Sequence, residues 1–223
     1  MTFEEYVAAW SRLHGGFDPR RSSAVVRGWV LAAYRIGSWL GRRGVGPAAV
    51  TTAGVVLCLA VPFAALLGRG GLLLGAVLVL LAAFADGLDG AVAVVTGRTS
   101  RLGYVYDSVA DRVGEAGWLA GLWVAGAPGW LVVAAGGTSW LHEYVRARAT
   151  AAGMTEIGVV TVGERPTRVS VAFSGLAIAG FIRDDWLPDV IVVATAAWLA
   201  LAVVGLGQLA VAVRRELSGK SGN

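Results

Sequence analysis

LLLGAVLVLLAAFADGLDGAVAVV, residues 72–95, decides the fold. Its first half carries only aliphatic residues and one glycine, and the apolar character resumes after Asp86 and Asp89. A run of about 20 predominantly apolar residues is what a helix needs to cross the hydrocarbon core of a bilayer. VTTAGVVLCLAVPFAALLG, residues 50–68, has the same character. Over 223 residues, 56% are hydrophobic and 15% charged, against roughly 25% charged in a soluble domain, and the mean hydropathy is +0.66.

The expected fold is therefore all-α and integral to the membrane. Six transmembrane helices are predicted at about 48–68, 71–95, 102–126, 128–149, 167–183 and 187–212. The fifth is short, and Arg168 and Arg183 at its ends can extend it by snorkelling. The third and fourth are joined by the turn-forming Gly126-Ala127-Pro128-Gly129.

Basic residues test that topology. Arg12, Arg20, Arg21, Arg27, Arg35, Arg42, Arg43, Arg98, Arg101, Arg146, Arg148, Arg165, Arg168, Arg214, Arg215 and Lys220 all fall on one side. The other side has Arg69 and Arg183, and Arg112 lies within a helix. The positive-inside rule then puts both termini in the cytoplasm of a multi-pass plasma-membrane protein. Residues 1–45 are expected to form a cytoplasmic N-terminal segment, 46–214 the six-helix domain, and 215–223 a disordered cytoplasmic tail. Within the first segment, SSAVVRGWVLAAYRIGSWLGRRG predicts an amphipathic juxtamembrane helix. Trp29 and Trp39 would lie at headgroup level and the arginines on anionic lipid. MTFEEYVAAW lacks the basic and then apolar order of a cleavable signal, so none is expected. Cys58, the single cysteine, reads as structural, and nucleic acid is not expected as a partner.

Against this apolar background four aspartates stand out. Asp86 and Asp89 lie near the inner end of the second span, and Asp107 and Asp111 in the first turns of the third. Spacings of three and four residues put each pair on one helix face. Four carboxylates carry a charge of −4, which two divalent cations cancel. An all-oxygen ligand set favours Mg²⁺ or Mn²⁺, and such binuclear sites clamp phosphate oxygens during displacement at phosphorus. Gly87, Gly90 and Gly103 clear side-chain bulk beside the carboxylates. Structural pairing with membrane arginines, or a proton or cation pathway, accounts for the same residues, and chemistry alone leaves these alternatives open.

The complete spacing is D-x2-D-G-x2-A-x9-G-x3-D-x3-D, filled by Asp86, Asp89, Gly90, Ala93, Gly103, Asp107 and Asp111. It resembles the signature of the CDP-alcohol phosphotransferase family. The resemblance implies that Asp86, Asp89, Asp107 and Asp111 bind two metal ions, Mg²⁺ or Mn²⁺, and that Asp111 is also the general base. It implies attack by an alcohol hydroxyl on the β-phosphate of a CDP-linked lipid, release of CMP, and a homodimer. By the same resemblance Ala48, Ala49, Val50 and Thr51, with Gly90, Arg98, Ser100 and Gly103, contribute to the CDP site. One position departs: the signature has an arginine after the alanine, and this chain has Val94. Arg98, one helical turn on, is placed to compensate.

The acceptor is read from EYVRARATAAG and GERPTR. Several guanidiniums in one connection form a phosphate receptor, because each donates in bidentate fashion. Both stretches look similar to the branch of the family that makes phosphatidylinositol phosphate. Arg146, Arg148, Arg165 and Arg168 cluster in that connection, and the resemblance implies that Arg146, Arg148 and Arg165, with Arg214 or Arg215 added, hold the phosphate of a phosphorylated alcohol, with inositol phosphate preferred. The alternatives are glycerol phosphate, phosphatidylglycerol or another alcohol as acceptor, a member disabled by Val94, or a non-catalytic, cation-transporting membrane protein. His14 is expected to be solvated, His142 to serve packing or helix-end polarity, and Glu115 to pair with Arg112.

Overall fold

In the computed structural model, residues 1–13, 18–154 and 160–219 are described; His14 lies outside them, as do 220–223 of the tail. Eight helices account for nearly all of these residues, with no strand among them. They are α1 (Phe3–Leu13), α2 (Ala24–Arg42), α3 (Pro47–Ala65), α4 (Gly68–Thr96), α5 (Arg101–Val124), α6 (Gly129–Ala151), α7 (Arg165–Phe181) and α8 (Leu187–Gly219). The six predicted apolar segments correspond in position to α3–α8. Helix α8 continues to Gly219, so residues 215–219, expected as disordered tail, are helical.

Among the described residues, three helical segments are long and apolar enough to cross a membrane: Pro47–Ala65, Gly68–Thr96 and Asp184–Ser218. Helices α5, α6 and α7 fall short of that measure through charge or length. Helix α5 carries Asp107, Asp111, Arg112 and Glu115, and α6 carries Glu143, Arg146 and Arg148. Helix α7 has 17 residues, or about 26 Å at 1.5 Å per residue.

The chain forms two compact units, Met1–Leu57 with Leu81–Gly114, and Cys58–Leu80 with Glu115–Asn223. In the first unit, α1 begins with a capping box. Thr2 N donates to Glu5 Oε2 at 2.7 Å, and Glu5 N donates to Thr2 Oγ1 at 3.3 Å. This helix was not expected from the sequence, although Thr2 and Glu5 at the right spacing, followed by Tyr6, Val7 and Trp10, announce it. Tyr6 and Val7 pack with Val30 and Ala33 of α2 and with Ala91 and Val94 of α4. Helix α2 matches the predicted amphipathic segment and buries Val30, Ala33 and Gly37. At Gly37 a Cβ would lie 3.2 Å from that of Ala91, so glycine allows α2 to approach α4 closely. A second cluster joins Val50 of α3 to Ala85, Leu88 and Val92 of α4.

Helix α4 ends in a Schellman motif that sets the direction of the following loop. Arg98 N donates to Ala93 O at 2.9 Å, Gly97 N donates to Val94 O at 3.3 Å, and Gly97 has φ +65°. In the second unit α8 packs against α6 and α7. There Trp198 Nε1 donates to Ser139 Oγ at 2.9 Å, and both residues are buried. Cys58 is buried, as expected of a structural cysteine.

Candidate functional site

Helices α4 and α5 bring carboxylates together in the first unit. Asp86, Asp107 and Asp111 each offer an oxygen within 4.8 Å of the others, and all three are half-buried. Such oxygen-only donors suit a hard divalent cation. Asp111 Oδ2 also lies 3.6 Å from Arg112 Nη2. The fourth predicted ligand, Asp89, is buried and falls outside this trio. Its Oδ2 accepts from Thr51 Oγ1 at 2.6 Å, and the same hydroxyl lies 3.1 Å from the Pro47 carbonyl. A buried carboxylate needs such a donor, because desolvating it without one is costly.

A cavity of about 590 Å³ opens beside these groups. Six of the residues expected to bind CDP line it: Ala48, Thr51, Gly90, Arg98, Ser100 and Gly103. Val94 lines it too, at the wall where the signature has its arginine, and Arg98 stands at the same cavity. Ser100 also shapes the α5 terminus, its Oγ accepting from Gly103 N at 3.0 Å. A Cβ on Gly103 would sit 3.0 Å from that oxygen, which explains the glycine locally. Ala49 and Val50 do not line the cavity. Ala49 is exposed, and Val50 is packed against Ala85, Leu88 and Val92, because neighbours along α3 point in different directions. Tyr106 does line it, and its hydroxyl lies 2.8 Å from that of Thr52, a pair the spacing argument missed. Trp29, expected at headgroup level, sets its indole edge-on to Phe84 at 5.0 Å between ring centroids.

The predicted acceptor arginines belong to the second unit, and most are already engaged. Arg168 is buried at 3% side-chain exposure, unlike a residue held out for ligand. Its Nη1 donates to Glu115 Oε1 at 2.8 Å and its Nη2 to Glu143 Oε1 at 3.0 Å. Glu115 thus meets Arg168 across helices, a partner that the sequence did not single out. Arg146 pairs with Glu164, whose Oε1 also accepts from Thr161 N at 3.1 Å and Thr161 Oγ1 at 3.0 Å. Arg165 lies over the Trp118 ring, 5.7 Å from its centroid. Arg148 and Arg214 are exposed. His142 is fully buried, with Nε2 2.9 Å from Thr161 Oγ1, so its role is a link in this network. Two of the carboxylates that neutralise the arginines, Glu143 and Glu164, were not singled out, although Glu164 directly precedes Arg165 and Glu143 follows His142.

Comparison with known proteins identifies the family. A phosphatidylinositol phosphate synthase from Mycobacteroides abscessus is 36% identical over 158 residues, covering 68% of this chain and 70% of that protein. The crystal structure of Mycobacterium tuberculosis phosphatidylinositol phosphate synthase with CDP-DAG bound matches with a TM-score of 0.66 at 27% identity. That match covers 82% of this chain and 93% of the other. The crystal structure of the same enzyme in complex with manganese and citrate gives a TM-score of 0.68 at 26% identity, covering 81% and 88%. The family-wide match runs over residues 45–207, from the start of α3 well into α8 and across all four aspartates. This chain belongs to the CDP-alcohol phosphatidyltransferase family of membrane phosphotransferases.

Proposed function

We propose that this chain moves a phosphatidyl group from CDP-diacylglycerol to a hydroxyl of a phosphorylated polyol, inositol phosphate, and releases CMP. The observation that carries this is the trio Asp86, Asp107 and Asp111, within 4.8 Å of one another, beside Asp89 and a cavity lined by the signature's nucleotide residues. The carboxylate donors fit Mg²⁺ or Mn²⁺, and Asp86, Asp89, Asp107 and Asp111 would hold two ions. Bound there, the metal supplies positive charge to the phosphate oxygens.

The remaining chemistry belongs to side chains. Thr51 holds the Asp89 carboxylate in place. Asp111 accepts the proton of the acceptor hydroxyl as its oxygen bonds to the β-phosphorus, while the bond from that phosphorus to the CMP oxygen breaks. Arg98 offers a guanidinium to the diphosphate in place of the signature's arginine. The phosphorylated acceptor is supported by the chain's likeness to phosphatidylinositol phosphate synthases and by the cationic set on α6, α7 and α8. Of that set, Arg146, Arg148, Arg165 and Arg214 would meet the acceptor phosphate, and Arg168 would brace them from its buried position.

The same proposal gives the chain six spans, α3–α8, both termini and the site on the cytoplasmic side of the plasma membrane, and a homodimer. Residues 1–45 would form the cytoplasmic segment with α2 on the membrane surface, ahead of a catalytic domain at 46–214. The test is CMP release by purified protein given Mg²⁺ and CDP-diacylglycerol with inositol phosphate, inositol, glycerol phosphate or phosphatidylglycerol in turn. Release with inositol phosphate supports the acceptor. Release only with another alcohol overturns it, and release with none overturns the transfer.

A further inference from the structure

Within the second unit a polar strap runs between α6 and α8 and ends on one of the arginines proposed for the acceptor phosphate. His142 and Arg146 lie four residues apart on one face of α6. His142 is fully buried, with Nε2 2.9 Å from Thr161 Oγ1. Thr161 is itself buried, and its hydroxyl and backbone N–H both reach one oxygen, Glu164 Oε1, at 3.0 and 3.1 Å. That oxygen also receives Nη2 of Arg146. On its other side the strap is held by α8. Val162 N donates to Gln208 Oε1 at 2.9 Å, and a Cβ on Gly205 would lie 2.6 Å from Gly163 N, so the close approach depends on glycine.

The direction of each bond follows from its chemistry. A carboxylate only accepts, so the single hydroxyl proton of Thr161 points to Glu164. The Thr161 oxygen then accepts from His142, which puts a proton on Nε2. Glu164 stands at the start of α7, yet its side chain does not cap that helix and turns back to Thr161 and Arg146. Held by two donors from Thr161, this carboxylate cannot swing around the guanidinium and engages it along one edge. Arg146 keeps 31% side-chain exposure, which leaves the rest of its fork to an anion. A long cationic side chain fixed in this way has given up its rotamer freedom before the ligand arrives.

We propose that His142, Thr161 and Glu164 are positioning residues for the acceptor: His142 acts through Thr161 and Glu164 to hold the Arg146 guanidinium in its phosphate-receiving orientation. This rests on the acceptor site proposed above. In the full chain, Thr161→Val removes the hydroxyl and nearly keeps the shape. It raises the KM for inositol phosphate roughly 3- to 10-fold, the worth of one hydrogen bond, while donor KM and kcat stay within about twofold. Thr161→Ser, which keeps the hydroxyl, stays near the wild type. His142→Phe acts in the same direction as Thr161→Val, and His142→Gln, which can place an amide N–H near the position of Nε2, recovers most of the loss. Arg146→Met raises the acceptor KM at least about tenfold, and adding Thr161→Val to it changes KM by less than about twofold, because the hydroxyl acts through the arginine. Calorimetric titration with inositol phosphate repeats these comparisons without turnover.

An unchanged acceptor KM in Thr161→Val, or a matching loss in donor KM or kcat, would overturn the positioning and leave the strap a structural tie. So would a further rise of 3-fold or more, on the same roughly one-bond scale, when Thr161→Val is added to Arg146→Met. If Arg146→Met leaves both KM and binding of inositol phosphate unchanged, the acceptor site falls and the positioning with it. A wild type that binds inositol phosphate and releases no CMP would overturn the transfer, and the titrations would still decide the positioning.

Discussion

The pair Arg168–Glu115 gives a prediction whose size follows from burial. Glu115 is 0% and Arg168 3% exposed, and their side chains meet at 2.8 Å. Glu143, the second partner at 3.0 Å, keeps 28% exposure and so retains some hydration. Arg168→Met takes this guanidinium away from the buried Glu115 carboxylate. Removing one partner of a buried pair costs about 3–5 kcal/mol, whereas replacing both with apolar groups of similar volume is often neutral or stabilising. For a chain of this size each kcal/mol shifts the midpoint by roughly 2–4 °C, so Arg168→Met should lower Tm by about 6–20 °C. Glu115→Leu with Arg168→Met should recover most of that loss. The assay is thermal unfolding of the detergent-solubilised protein, followed by the emission of its tryptophans. A double variant as unstable as Arg168→Met would refute the account, because the loss would then not come from the buried carboxylate.

Other outcomes follow from the site. Val94→Arg restores the signature but should lower transfer and speed proteolysis of residues 1–13; a sharp gain in CMP release would show that the valine had disabled the site. Thr51→Val should destabilise by about 1–3 kcal/mol, because buried Asp89 loses its donor, and should weaken Mn²⁺ binding measured by calorimetry. Chelation with EDTA should abolish CMP release, and Mn²⁺ should restore it to the wild type but not to a chain with Asp86→Asn and Asp107→Asn. Burial pushes the Tyr6 hydroxyl up to about 12 from 10.0. Because the folded state favours the neutral phenol, that contribution is intact below pH 10 and is lost between pH 10 and 12. Tyr6→Phe should remove this alkaline sensitivity of unfolding.

Much of the architecture was legible because one physical requirement dominates it. A span must be apolar over most of its length, and that requirement wrote α3 and α4 into the sequence to within a few residues at each end, and the start of α8. The aspartates were legible for the converse reason, since carboxylates in such segments are costly and their spacing is fixed by helical geometry. Helix α1 was less visible: it is short and carries Glu4, Glu5 and Arg12, and its partners lie far along the chain on α4. Its docking on Val94 is a tertiary fact without a local signal. The arginine cluster was only partly legible for the same reason. Sequence places cationic residues together, but whether each faces a ligand or a carboxylate depends on Glu115, Glu143 and Glu164 arriving from other helices. Val50 sits one residue before Thr51, yet the helix turn between them sends one into a core and the other to the cavity.

The most direct test of the central claim is product identification by mass spectrometry after incubating the wild type and Asp111→Asn with Mg²⁺, CDP-diacylglycerol and inositol phosphate. The account predicts phosphatidylinositol phosphate and CMP from the wild type, and a rate at least about 10²-fold lower from Asp111→Asn. Product from both proteins at equal rates would remove Asp111 from its role, and product from neither would contradict the proposed reaction.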